Sequence, residues 1–143
     1  MNTKLIITVS AVLLSAACLF GKNLFSEKPV DKNINVEVYK TSSYVSPAYA
    51  NTFATLEVTV VRVKGNKKDT AFQHTFQPKQ LKDFPSSDKP MIQEIIIPNV
   101  NDRNEKLEIY YRLTYDTKGS VLNFLNTTTI SKGQQTGKLN IQI

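Results

Sequence analysis

The chain is 143 residues long, carries a formal net charge of +6, and contains one histidine, one cysteine and no tryptophan. A lone cysteine excludes an internal disulfide, and one His beside one Cys excludes a His/Cys metal cluster. The cations are interspersed with acids and form no basic–aromatic repeat, so nucleic acid is not an expected partner.

The chain opens on Lys4 and a free amino terminus, followed by an apolar run from Leu5 to Ala17 and then Cys18. That run has signal-peptide length and falls short of the ~20 residues a spanning helix needs. Leu13-Leu14-Ser15-Ala16-Ala17-Cys18 sets small residues directly before the only cysteine. The stretch resembles the lipobox of bacterial lipoproteins, with Ser15 where the family usually has leucine and Leu14 one step further away. The resemblance implies that residues 1–17 are a signal peptide, that Cys18 becomes the lipidated N-terminus, and that membrane lipid is a partner through it. An ordinary cleaved signal peptide and an uncleaved N-terminal anchor reaching Phe20 are the alternatives. Residues 18–33 then read as the lipidated terminus and a tether, since Gly21, Asn23, Ser26, Pro29 and Asp31 break any periodicity. Leu19-Phe20-Gly21-Lys22 lacks the aspartate that resembles an inner-membrane retention signal. By that resemblance the protein sits in the cell envelope, lipid-anchored in the outer membrane and facing the periplasm.

Residues 34–143 are written in period two. Ile34, Val36 and Val38 alternate with polar neighbours; Leu56, Val58, Val60 and Val63 lie in the run from Phe53 to the turn Lys64-Gly65-Asn66. Thr70 to Phe76 puts Phe72, His74 and Phe76 on one face, and Met91 to Ile97 is an apolar strand between prolines. In Leu107 to Tyr115 the odd positions face the core, with Glu108 and Arg112 on the other side. Strands are also expected within Val121 to Ile130 and from Leu139 to Ile143; Lys79 to Phe84 reads as one helical turn. The expected fold is all-β: an antiparallel β-sandwich of about seven strands, immunoglobulin-like or transthyretin-like, behind the signal peptide.

The chemistry-bearing residues argue against an enzyme, and no catalytic residue, metal ligand or cofactor is assigned. His74 sits between two phenylalanines and is expected to be a partly buried packing residue. No Gly-x-Ser-x-Gly elbow and no phosphate-cradling glycine loop occur. Asn99 to Glu105 offers oxygen ligands but lacks EF-hand spacing and contains Arg103, so an ordinary turn is expected there. Asp69-Thr70-Ala71 resembles a short O-glycosylation site of exported Gram-negative proteins, which makes Thr70 a candidate glycan acceptor.

Tyr39, Tyr44 and Tyr49 surround the polar segment from Thr41 to Asn51, which is too long for a hairpin. Tyrosine combines apolar area with a hydrogen-bonding tip and suits protein interfaces. These three are therefore the candidate partner-binding residues; covering one end of the core is the alternative. The function expected is a membrane-anchored, non-enzymatic binding or scaffold module with an envelope protein as partner. In plan and size it resembles the small β-sandwich outer-membrane lipoprotein of type VI secretion and similar envelope machines, which makes a secretion-system component one expectation. The alternative is a small-ligand or glycan-binding lipoprotein with its site on the sandwich loops, a reading weakened by the lack of tryptophan.

Overall fold

A computed structural model describes residues 28–143. The leader, Cys18 and the first part of the expected tether lie outside the described residues. Among those described, each of the seven expected strand regions is a strand, and an eighth of two residues joins them. The strands are β1 (Val30–Tyr39), β2 (Thr52–Lys64), β3 (Lys67–Thr75), β4 (Lys79–Gln80), β5 (Met91–Val100), β6 (Glu105–Thr117), β7 (Ser120–Ile130) and β8 (Thr136–Gln142). Short 3-10 turns occupy Pro47–Tyr49 and Leu81–Asp83, the second within the helical turn expected between Pro78 and Pro85.

Two sheets face each other. One has three strands in the order β5-β1-β8; the other runs β3-β2-β6-β7, with β4 continuing the β3 edge along β2. All but one of the pairings are antiparallel, and the exception is β1 with β8. Period-two alternation is what lets each sheet bury one face. Ile34, Val36 and Val38 of β1 are fully buried, while Asn35, Glu37 and Tyr39, each following one of them, are not. They pack with Ile95, Ile97 and Ile141 against Leu56, Val58 and Val60 of β2 and Leu107, Ile109 and Leu113 of β6.

Two expectations need correction. The tether was expected to run to residue 33, but β1 begins at Val30, with Val30 opposite Val100 of β5. His74 shares a face with Phe72 and Phe76, as its spacing implies, yet it is exposed rather than partly buried. It lies on β3, an edge strand that is exposed along nearly its whole length.

The early start of β1 has an electrostatic cause. Lys32 turns inward, its side chain only 2 % exposed, and both carboxylate oxygens of Asp102 lie 2.7 Å from its Nζ. The same ammonium donates to the Gln134 carbonyl at 2.7 Å, and the Gly133 N–H donates to Asp102 at 2.8 Å. One cation thus ties β1 to the β5–β6 and β7–β8 loops. Burial pushes the Asp102 carboxyl up, but the hydrogen bonds from Lys32 and Gly133 outweigh it and hold the pKa below its usual value. Removing one partner of such a pair strands the other charge, which costs ~3–5 kcal/mol. Asp102→Asn should therefore destabilise the fold more than Lys32→Met, and the double variant should be no worse than Asp102→Asn alone in denaturant titrations.

On the outer face of the larger sheet, Glu108 accepts from Lys106 at 2.7 Å, the Tyr110 hydroxyl at 2.7 Å and Lys68 at 3.0 Å. These bonds, Lys106 first, lower its pKa from 4.5 to about 2. A carboxyl depressed on folding stabilises fully above its unfolded pKa, and that contribution is lost as pH falls through the folded value. Glu108→Gln should lower stability at neutral pH, with the difference from wild type shrinking between pH 4.5 and about 2. Urea titrations across that range check it.

Candidate functional site

The two ends of the sandwich differ. At the proximal end, where β1 begins, lie Lys32, Asp102 and the loops that hold them. At the distal end, where β1 finishes, the chain makes its long crossing from Tyr39 to Thr52. This crossing is braced at several points. The Lys40 N–H donates to the Pro85 carbonyl at 2.8 Å, and the Lys40 ammonium donates to the Lys82 carbonyl. The Thr41 N–H reaches the Ile143 carbonyl at 3.1 Å, and the Ile143 N–H returns to the Tyr39 carbonyl at 2.9 Å.

Tyr44 is the keystone of this rim. Its φ of 52° lies in the left-handed region, uncommon for a bulky residue and held only where surroundings over-determine it. Here they do. The hydroxyl donates to the Ile143 carbonyl at 2.7 Å, and the half-buried ring packs against the core. Tyr49 closes on it edge to face, with ring centroids 5.2 Å apart. Behind them Tyr115 has its hydroxyl pKa raised by burial and by its neighbour Tyr44. Tyr115 in turn meets Phe124 of β7 edge-on at 5.9 Å. Between Tyr44 and the 3-10 turn, Val45 is 80 % exposed, and Tyr49 is 44 % exposed. Ser46 caps that turn, its Oγ accepting from the Ala48 N–H at 3.4 Å.

The three candidate tyrosines therefore divide. Tyr44 and Tyr49 are brought together, one as brace and the other as exposed surface. Tyr39 stands apart at the end of β1, its hydroxyl accepting from Gln142 at 3.1 Å. Thr70 is exposed on β3, opposite Val61, where a glycan would meet no packing. Cys18 lies outside the described residues. Sequence reading missed Val45 and the Tyr115–Phe124 pair. The first is a lone valine in a polar loop, and the second is a cross-strand contact between β6 and β7 that the sequence reading did not assign.

At the proximal end an open groove of about 690 Å³ is lined by Lys28, Val30, Asp102, Arg103, Lys132, Gly133 and Gln135. Its carboxylate already holds Lys32. Among the described residues no group of three or more His, Cys, Asp or Glu could hold a metal ion, and no helix is long and apolar enough to cross a membrane. Comparison with family models, curated proteins and solved structures finds no match to this chain.

The division of labour in the rim is measurable. Tyr44→Phe removes a hydroxyl bonded to a backbone carbonyl, a change that typically costs about 1 kcal/mol. Tyr49→Ala removes a ring already half in solvent and should cost less. Thermal unfolding that ranks the two the other way would exchange their roles.

Proposed function

We propose that this chain is a membrane-anchored, non-enzymatic lipoprotein of the bacterial envelope that docks a protein partner through its distal rim, as a scaffold module of an envelope machine such as a secretion complex. The observation that carries this reading is the braced loop itself. Tyr44 fixes the backbone, so that Val45 and Tyr49 stand exposed on a rigid frame. Preorganised apolar and aromatic groups lose little freedom on binding, and such residues supply most interface hot spots. The anchor is consistent with the same geometry, because β1 begins at Val30, at the end of the sandwich opposite the rim. Anchoring rests on the small residues before Cys18, and a diacyl or triacyl group there would hold the domain firmly, each buried methylene contributing ~0.8 kcal/mol.

A second reading follows from the proximal groove, where Lys28, Arg103 and Lys132 suit a small anionic ligand. The rim is favoured because its exposed groups are apolar and fixed, whereas the groove is open to solvent.

Affinity capture from membranes with the tagged full-length chain tests the proposal. Tyr49→Ala with Val45→Asp should cut recovery of a stoichiometric partner, hot-spot truncations commonly costing ~2 kcal/mol or more. Cys18→Ser should shift the protein to the soluble fraction or leave its precursor unprocessed. Unchanged capture by the rim variant would move the interface elsewhere, and unchanged fractionation and lipid labelling of Cys18→Ser would remove the anchor.

A further inference from the structure

Each sheet leaves two edges, and among the described residues three of the four edge lines carry groups that discourage further pairing. The β3–β4 edge has Lys67, Lys68, Asp69 and Lys79; β5 has Glu94 and Pro98; β8 has Lys138. Charges and proline on an edge are how soluble proteins prevent strand addition. β7 has neither. Its eleven residues, Ser120 to Ile130, contain no charge and no proline, and among the described residues β6 is its only partner. Four of its apolar side chains are about half exposed or more: Val121 57 %, Leu122 57 %, Phe124 47 % and Leu125 64 %.

We infer that this edge is the contact for a second copy of the chain, the two β7 strands pairing antiparallel about Asn123. Two independent features select that occupant and that register. The first is the side-chain pattern. Val121-Leu122-Asn123-Phe124-Leu125 has an apolar pattern that is symmetric about a central Asn. Folding it on itself sets Val121 opposite Leu125 on the outer face and Leu122 opposite Phe124 on the inner face. Asn123 meets its own copy. The stretch is uncharged, so the pairing brings no like charges into direct opposition at the seam although the chain carries a formal net charge of +6.

The second feature is backbone parity. Lys118 and Gly119, with φ of 51° and 89°, form a two-residue turn joining Thr117 to Ser120. In such a hairpin the flanking pair exchanges both its hydrogen bonds, and bonded and non-bonded pairs then alternate along the ladder. Val121, Asn123 and Leu125 consequently turn their N–H and C=O groups away from β6 and toward the free edge. Those same residues must be the hydrogen-bonded ones in a pairing centred on Asn123. Side chains and backbone thus select one register. A pairing centred on Leu125 satisfies the backbone equally but sets Val121 against Thr129 and Asn123 against Thr127, and the apolar match is lost. The product is one continuous sheet running β3-β2-β6-β7 and back through the copy. It does not depend on what the rim binds.

Disulfide trapping in membranes of cells producing the full-length chain tests this. Residues facing themselves across a two-fold axis in a bonded antiparallel pair lie about 5.5 Å apart at Cα, within disulfide range. Asn123→Cys should form a covalent dimer on mild oxidation, and Thr127→Cys should not. The wild-type chain, whose only cysteine is Cys18, serves as the blank. Adding Leu125→Lys to Asn123→Cys should reduce trapping about tenfold, because each dimer carries the substitution twice. Equal trapping through Thr127→Cys, no trapping above the blank, or indifference to Leu125→Lys would each overturn the inference. Normal partner capture by a chain that does not trap would overturn it while leaving the rim reading intact.

Discussion

Three strands have to cover a sheet four strands wide, and most of what is distinctive in this molecule follows from that mismatch. β5, β1 and β8 bury the central strands β2 and β6 and run out before the flanks. β3 on one side keeps only Phe72 half-buried. β7 on the other buries only Ile130, where Gly137 of β8 passes so close that a Cβ there would stand 2.9 Å from the Ile130 side chain. Leu122 and Phe124 point to the same face as the buried Leu113 and yet remain in solvent. Their exposure comes from missing cover, not from a register that turns them outward.

The two ends of the sandwich are closed by different means. At the proximal end a buried lysine draws two loops inward, and its charge is satisfied by Asp102 and the Gln134 carbonyl. At the distal end the closure is aromatic, with Tyr44 inserted beside Tyr115 and pinned to the Ile143 carbonyl. Burying an ion pair seldom stabilises more than an apolar replacement would, but it tolerates few alternative geometries. A left-handed tyrosine tied by its hydroxyl is similarly specific. Both ends are thereby defined in position, and a defined end is what a docking surface requires.

Much of this was legible in the residues. Alternation located β1, β2, β5, β6 and β8 because each buries one face and the periodicity of burial is that of the side chains, whereas β3 and β7 bury almost nothing and were marked by their apolar and aromatic residues between turns. Leu107 to Tyr115 was the clearest case, and in the structure its odd positions are the inward ones. Lys32 was not legible, since a lysine among Asp31, Asn33 and Asn35 looks like solvated tether until its partner seventy residues away is known. The rim was half legible. Tyrosines flanking a long loop suggested a surface, but only coordinates separate Tyr44 as brace from Tyr49 as surface. The want of charge and proline between Ser120 and Ile130 was plain in the sequence, but it acquires meaning only once β7 is known to be an edge. Strand order is a long-range property, and a pattern of local periodicity does not contain it.

Anchor, rim and edge also constrain one another. Antiparallel pairing about Asn123 reverses one copy relative to the other, so the two proximal ends point outward and the two rims lie toward the middle. From Asn123 to Ile130 is about 23 Å along the strand, which sets the two chain entries roughly 50 Å apart. The segment between Cys18 and Val30 can extend to about 35–40 Å. Were Cys18 lipidated as proposed, both lipid groups of such a pair would reach a single bilayer with the paired sheet lying along it, and two anchors would hold far more firmly than one. In that arrangement the two Tyr49–Val45 surfaces are brought near the same axis, and a partner with matching symmetry would engage both. The proposed association through β7 and the proposed docking through the rim are thus compatible in one geometry, each using residues the other does not.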